Sequence, residues 1–413
     1  MLNKWAQSTI FSEMAKDNIY FDYASTTPVS EAAFNAMKPY FSEKFGNAGS
    51  VHSFGQEAIA AIDKSREIIA NELNADFREI IFTGSATEAN NLALRGAVSK
   101  WKRDFKDKIP RIIVSAIEHN SVLEAAKDLA ENGAELKIVK VDKDGLIDLN
   151  NLKEVLTSNT AIVSVMFGNN EIGSIQPVKQ IGEIIKKFKE EEGARATEFS
   201  RNIYPLFHTD ASQAFQYLEC DVRELGVNLL TISSHKIYGP KGVGALFVER
   251  FQRTKGFYIQ PVSFGGDQEF GMRPGTENVP GIGGFAAAAA EASKIRGKEA
   301  RRVLEIKQYF ESELQKINDK LEINGSTEKS LPHILSVYFP KNKAEEIITA
   351  LDLKGFAVSA GSACRARAVA PSYVVEALGY REERSVGSVR FSFGRDTDKN
   401  KVKKLLTALK ELI

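Results

Sequence analysis

The sequence is poor in cysteine, in excess charge of either sign and in long apolar runs, and each shortage excludes a class of protein. Its two cysteines, Cys220 and Cys364, are too few for a disulfide framework or a cysteine-rich metal cluster. Lysine and arginine total 55 against 54 aspartates and glutamates, so no overall charge favours nucleic acid or an anionic membrane. No stretch approaches the ~20 apolar residues that span a bilayer, and the N-terminus lacks the apolar core of a signal peptide. We therefore expect a cytoplasmic protein with no metal site.

What the chain does have is enough apolar sequence for a large core. At 413 residues and 43% hydrophobic, it can form one large core or two domains. Between about residues 80 and 250, short apolar runs such as "IIFTG", "AIVSVMF" and "LLTISS" alternate with longer helical patterns. This alternation predicts an α/β domain with a mainly parallel seven-stranded sheet, covered by helices on both faces.

After about residue 280 the pattern changes to a long helix, followed by short strand-like and helical segments. This second pattern predicts a smaller α+β domain. We expect a large domain over 29–285 and a small domain formed by 1–28 and 286–413.

Polar residues follow the predicted strands at the ends where open parallel sheets bind ligands. After "IIFT", Ser85 and Glu88 are spaced as a helix N-cap and capping box, whose free N–H groups suit a phosphate. The other strand ends carry an imidazole, amides, a carboxylate and an amine in the segments Glu118-His119, Asn169-Asn170, Asp210 to Gln213 and Ser234-His235-Lys236. A single polar residue at a strand end usually has a structural role. Several polar residues at the same edge of a sheet are hard to explain by structure alone.

These groups suit pyridoxal 5'-phosphate. The cofactor's aldehyde needs a lysine such as Lys236, its ring nitrogen needs a carboxylate such as Asp210, and its phosphate needs a helix N-terminus.

The two cysteines differ in their sequence surroundings. Cys220, in "YLECDVREL", reads as a small buried hydrophobe. Cys364 follows Gly361 and Ser362 in "AGSACRARAV", and this loop position is typical of a reactive thiol.

A series of motifs runs nearly the length of the chain: "IYFDYASTTPVS", "GNAGSVHSFG", "FTGSATEANNLALRG", "EHNSVLE", "NNEIGSIQP", "HTDASQ", "SSHKIYGPKGVGAL", "RPGTEN", "SAGSAC" and "VRFSFGR". With it, the sequence resembles the class V aminotransferase superfamily of pyridoxal-phosphate enzymes, fold type I. Within that superfamily it is most similar to cysteine desulfurases of the NifS/IscS kind.

The resemblance implies a role for each motif residue. Lys236 binds the cofactor as a Schiff base and moves the substrate's α-proton, Asp210 pairs with the pyridine nitrogen, and Gln213 meets the ring's phenolic oxygen. His119 stacks on the ring as a catalytic residue. Asn170 is implied at both cofactor and substrate, where it binds the substrate carboxylate with Arg390; by its own pattern Arg390 reads as an exposed strand arginine. The residues implied at the phosphate are Ala86, Thr87, Ser233, His235 and, from the other subunit of a homodimer, Thr276.

The implied reaction converts L-cysteine to L-alanine and leaves the sulfur as a persulfide on Cys364, in a loop of the small domain. An acceptor protein then takes the sulfur for iron-sulfur cluster, thio-cofactor or tRNA biosynthesis. We hypothesise that Arg365 and Arg367 favour the thiolate or an acidic acceptor. The alternatives are a selenocysteine lyase, another class V pyridoxal-phosphate enzyme, and a catalytically inactive scaffold.

Overall fold

The computed structural model describes residues 18–193, 203–250, 256–361 and 371–413. Its strands are β1 (Ile19–Tyr20), β2 (Ile80–Thr83), β3 (Arg111–Ser115), β4 (Glu135–Val139), β5 (Thr160–Ser164), β6 (Leu206–Asp210), β7 (Leu229–Ser233), β8 (Gly244–Val248), β9 (Glu322–Ile323), β10 (Ile334–Tyr338), β11 (Phe356–Ala357) and β12 (Ser388–Ser392).

The helices are α1 (Glu31–Met37), α2 (Pro39–Ser42), α3 (Ser53–Glu72), α4 (Ala86–Asp104), α5 (Asn120–Glu131), α6 (Leu149–Val155), α7 (Val178–Gly193), α8 (Val222–Leu225), α9 (Val279–Ile317), α10 (Ala344–Leu353), α11 (Tyr373–Ala377), α12 (Glu382–Val386) and α13 (Lys399–Lys410). Short 3-10 turns lie at Phe77–Glu79, Ser234–Lys236 and Gln268–Gly271.

Two compact units make up the described chain. The larger comprises the described residues of 26–169 and 174–297, and the smaller comprises the described residues of 1–25, 170–173 and 298–413. The long helix α9 contributes residues to both units. The domain boundaries inferred from the sequence, at residues 28 and 285, stay a prediction.

The larger unit is organised around one sheet. Among the described residues it has seven strands in the order β2-β8-β7-β6-β5-β3-β4. Neighbours from β7 to β4 are parallel, and β8 is antiparallel to both β2 and β7. Every residue of β5, β6, β7 and β8 is buried, as expected for strands covered by helices on both faces. The predicted mainly parallel seven-stranded sheet is confirmed.

The smaller unit has antiparallel strands and an aromatic core. Strand β10 lies between β9 and β12, while β1 pairs in parallel with β11. The Phe310 ring lies 4.9 Å from that of Phe391 and 5.5 Å from that of Phe393, and the Phe393 ring lies 6.0 Å from that of Phe21. Because Phe21 belongs to the segment after β1, this packing fixes that segment beside β12. The predicted α+β arrangement of the smaller domain is confirmed.

Candidate active site

Three of the polar segments predicted at the rim of the sheet lie at or just after the ends of β3, β6 and β7, whereas Asn170 belongs to the smaller unit. Asp210 and Ser233 are the last residues of β6 and β7. His119 caps α5 shortly after β3, and Lys236 ends the 3-10 turn that follows β7. Because β3, β6 and β7 run parallel within one sheet, their carboxyl ends form one edge.

A chain of hydrogen bonds connects Asp210 to His119. The Asn90 amide donates to Asp210 Oδ2 at 2.7 Å and to Ser121 Oγ at 2.8 Å. Ser121 Oγ lies 2.8 Å from His119 Nδ1. The backbone N–H of Ser212 donates to the other Asp210 oxygen at 2.9 Å. These contacts fix the carboxylate with neutral donors, so no cation among them offsets its negative charge.

The same chain settles which nitrogen of His119 carries the proton. The Ser121 N–H donates to His119 Nδ1 at 3.1 Å, so Nδ1 is an acceptor. Burial lowers the pKa of His119, with Lys236 contributing in the same direction and Asp210 opposing. The ring is therefore neutral near pH 7 with its proton on Nε2, as the hydrogen-bond network requires.

Sequence reasoning did not identify Asn90 or Ser121. Asn90 is fully buried on the inward face of α4, and Ser121 lies in the first turn of α5. The one available signal for Ser121 was its position two residues after a histidine N-cap. Asn90 had no signal, because the burial of an amide on a helix depends on which face packs inward.

Glu118 is a second buried carboxyl group at this edge. Its Oε1 accepts from Ser115 Oγ at 2.5 Å and from the Met166 N–H at 2.7 Å. Burial raises the pKa of Glu118 to about 8, an effect that these two hydrogen bonds oppose. Glu118 is thus mainly protonated near pH 7 and ties the end of β3 to the segment after β5.

The first turn of α4 has the predicted N-cap at Ser85. Ser85 Oγ accepts from the Glu88 N–H at 3.1 Å, and Glu88 Oε2 accepts from the Gly84 N–H at 2.6 Å. In a capping box, the carboxylate of Glu88 would accept from the N–H of the N-cap residue, Ser85. Here it accepts from the N–H of the residue before the N-cap. The N–H groups of Ala86 and Thr87 belong to the first turn, which has no intrahelical acceptors.

Other residues predicted at the phosphate have different surroundings. Ser233 is 2% exposed, and its buried Oγ has no hydrogen-bond partner among the described residues. His235 Nδ1 lies 3.1 Å from Thr26 Oγ1, and burial lowers the pKa of His235 to about 4. Gln213 is buried in the turn after β6, whereas Thr276 is exposed on the larger unit.

Arg390 and Asn170 both belong to the smaller unit and meet there. Arg390 Nη1 donates to the Asn170 carbonyl at 2.7 Å, while Nη2 donates to Asp22 Oδ1 and to Ser25 Oγ, each at 2.6 Å. The Arg390 side chain is only 2% exposed, so the alternative of an exposed strand arginine is wrong. Two buried atoms here, Arg390 Nε and Asn170 Oδ1, have no hydrogen-bond partner among the described residues.

Of the two cysteines, the structure describes Cys220. Cys220 is 1% exposed, and burial raises the pKa of its thiol to about 12, so its interpretation as a buried hydrophobe is confirmed. Cys364, Arg365 and Arg367 lie outside the described residues. Gly361, just before them, has a φ of +102°, and a Cβ there would lie 2.5 Å from a Glu171 carboxylate oxygen.

The aminotransferase class-V family matches residues 19–405, which is most of the chain. This protein belongs to the class V aminotransferase family. A cysteine desulfurase IscS of Dictyoglomus turgidum is 40% identical over 96% of this chain and 95% of its own length. A cysteine desulfurase IscS 1 of Archaeoglobus fulgidus is 41% identical over 95% of this chain and 96% of its own.

Solved structures of class V relatives share the fold. A NifS-like protein has a TM-score of 0.84 at 32% identity, covering 96% of this chain and 99% of its own. SspA, solved in complex with cysteine, has a TM-score of 0.74 at 32% identity, covering 91% of this chain and 98% of its own. The family resemblance predicted from the motifs is confirmed, and so is the prediction of fold type I. No helix among the described residues is long and apolar enough to cross a membrane.

Proposed function

We propose that this protein is a cysteine desulfurase that uses pyridoxal 5'-phosphate to convert L-cysteine to L-alanine and transfer the sulfur. The observation that carries the proposal is the 40% identity, over nearly the whole chain, to a cysteine desulfurase. The buried carboxylate, lysine and helix N-terminus at one edge of the sheet support it chemically.

The residues of the larger unit fit the cofactor. The buried Ser233 Oγ has no partner among the described residues, as expected of a hydroxyl that donates to a bound phosphate. The first turn of α4 adds N–H groups and the positive end of a helix dipole. We assign the phosphate to these groups, with Ala86, Thr87, Ser233 and His235 as its ligands.

When bound, the cofactor supplies an electrophilic carbon for the substrate's amine and a protonated ring that stabilises negative charge at the α-carbon. In our assignment Lys236 Nζ holds the cofactor and then carries the α-proton. Asp210 keeps the ring nitrogen protonated, because its carboxylate is buried and held by neutral donors. The neutral His119 ring would stack on the bound cofactor, and the Gln213 amide would donate to its phenolic oxygen.

The remaining residues hold the substrate and take its sulfur. We assign the substrate's carboxylate to Arg390 and Asn170. The buried Arg390 Nε–H has no partner among the described residues and is a donor suited to it, and the Asn170 amide NH2 group is a second donor. The thiolate of Cys364 attacks the sulfur of L-cysteine. The carbon–sulfur bond breaks, a persulfide forms on Cys364, and the carbon skeleton takes up a proton and leaves as L-alanine. Asn170 also faces the cofactor in this assignment.

The proposed enzyme is a homodimer. Several large apolar side chains of residues 29–54 are exposed on the larger unit: Phe34 by 57%, Phe41 by 64%, Phe45 by 66%, Val51 by 93% and Phe54 by 48%. Such a concentration of exposed aromatic side chains is typical of a protein interface. Thr276, also exposed, is assigned to the phosphate of the partner subunit. We further propose a cytoplasmic protein that passes sulfur to a partner of the iron-sulfur cluster or thio-cofactor pathways.

The experiment that tests the function mixes the cofactor-loaded protein with L-cysteine and a reductant, and quantifies L-alanine and sulfide. We expect equal yields of both, and their loss in Cys364→Ala while the absorbance of the bound cofactor persists. L-Alanine produced without sulfide contradicts desulfuration. Release of selenide from L-selenocysteine, with no sulfide from L-cysteine, favours a selenocysteine lyase instead.

A further inference from the structure

The arginine assigned to the substrate's carboxylate already binds a carboxylate of this chain. A guanidinium group has five N–H donors in a fixed planar fork. In Arg390, one Nη1 hydrogen goes to the Asn170 carbonyl, and the two Nη2 hydrogens go to Asp22 Oδ1 and Ser25 Oγ. The Nε hydrogen and the second Nη1 hydrogen have no acceptor among the described residues.

The two remaining hydrogens do not form a bidentate edge. A carboxylate binds a guanidinium through two parallel N–H groups, either the Nε and Nη2 pair or the Nη1 and Nη2 pair. Both pairs include Nη2, whose hydrogens are taken by Asp22 and Ser25. An incoming carboxylate therefore forms a bidentate pair with Arg390 only by taking Nη2 from one of them.

The backbone on each side of Asp22 is fixed, so its carboxylate stays near Arg390. Strand β1 pairs with β11, and Asp22 itself forms a parallel bridge with Ser392. The Ser392 N–H donates to the Phe21 carbonyl at 2.7 Å, and the Ala24 N–H donates to Ser392 Oγ at 2.9 Å. The Asp22 side chain is 17% exposed, so water screens its charge only in part.

We propose that Asp22 is a specificity-determining residue that competes with the substrate's carboxylate for Nη2 of Arg390 and so weakens the binding of α-amino acids. Ser25 competes for the same nitrogen without adding charge. The inference rests on the proposed role of Arg390 in binding the substrate. It gives Arg390 an internal counter-ion while no substrate is bound, and it favours ready release of the amino-acid product.

The test measures the affinity of the cofactor-loaded protein for two amine probes that have no sulfur to lose, L-alanine and ethylamine, by calorimetry. Ethylamine has the amino group but no carboxylate. Asn has the shape of Asp and keeps an oxygen acceptor for Nη2, so Asp22→Asn removes the charge alone. We expect Asp22→Asn to bind L-alanine about tenfold more tightly, because a like charge on the same guanidinium group is removed, with ethylamine affinity unchanged.

Two further variants separate the causes. Ser25→Ala frees one Nη2 hydrogen and keeps the charge, so we expect L-alanine to bind about 2-fold more tightly; this variant also tests the proposal if Asp22→Asn fails to fold. Unchanged or weaker L-alanine binding in whichever of the two variants folds overturns the competition. Arg390→Lys tests the underlying assignment separately: if the ratio of L-alanine to ethylamine affinity does not fall, Arg390 does not bind the carboxylate.

Discussion

Replacing Asn90 by alanine tests whether the hydrogen-bonded chain in the larger unit fixes Asp210. The substitution removes a hydrogen bond to a charged carboxylate, worth ~1.5–3 kcal/mol, and one to a hydroxyl, worth ~0.5–1.5 kcal/mol. It also removes Asn90 Oδ1, a buried acceptor without a partner among the described residues, which recovers ~1 kcal/mol. We expect a net loss of about 2 kcal/mol, which lowers the melting temperature of a unit of this size by about 4 °C.

Scanning calorimetry of the cofactor-free protein measures this loss without relying on activity. Asn91→Ala is the matched control, because Asn91 is the next residue of α4 and its amide forms hydrogen bonds, within the part of the chain that the structure describes, only with Thr87 and Arg95 of the same helix. We expect that control to lower the melting temperature by ~1 °C or less.

A double-mutant cycle with Asp210→Asn then assigns the loss to the charged hydrogen bond. In the Asp210→Asn background, Asn90→Ala should cost only about 1 kcal/mol, because a neutral amide replaces the carboxylate. Equal losses in the two backgrounds refute the proposed coupling. A loss no greater than that of Asn91→Ala refutes the structural role of Asn90 altogether.

Three other results are expected. Gly361→Ala should lower the melting temperature more than Gly379→Ala. Both positions have positive φ (+102° and +85°), but only a Cβ at position 361 would lie against a carboxylate. Equal decreases in melting temperature contradict this clash. As pH rises from about 4.5 to about 8, Glu118 loses its proton in the unfolded chain and keeps it in the folded one, so the free energy of unfolding should fall. Glu118→Gln should flatten this part of the plot of melting temperature against pH. An unchanged slope contradicts a protonated Glu118 in the folded protein. Phe45→Asp should convert the dimer to a monomer in light scattering, whereas Leu353→Asp, at a residue 77% exposed on the smaller unit, should not; a dimeric Phe45→Asp places the interface elsewhere.

Much of the candidate site in the larger unit was predictable because it depends on local order along the chain. Asp210 is the last residue of one buried strand and Lys236 ends the turn that follows the next strand, and strands of a parallel sheet end at one edge. Ser85 as a helix cap was predictable for the same reason, since a cap acts within three residues. Only the reach of the Glu88 carboxylate to Gly84 differed from the expected capping box.

The environment of Arg390 could not be predicted from its neighbours in sequence. Asp22 lies 368 residues away along the chain, and Asn170 lies 220 residues away. No short-range pattern connects residues at such separations. From its neighbours alone, an arginine on a strand next to phenylalanines can be interpreted as exposed. Its burial depends on which segments pack over β12.

The sequence by itself determined the alternation of strands and helices, the polar residues at strand ends and the family resemblance. These depend on periodicity and on motifs whose residues are close along the chain. Only the tertiary structure decided which polar groups share hydrogen bonds: Asn90 and Ser121 between Asp210 and His119, and Asp22 on Arg390. The physical reason is that a hydrogen bond needs donor and acceptor within about 3 Å, and packing between distant segments alone sets that distance.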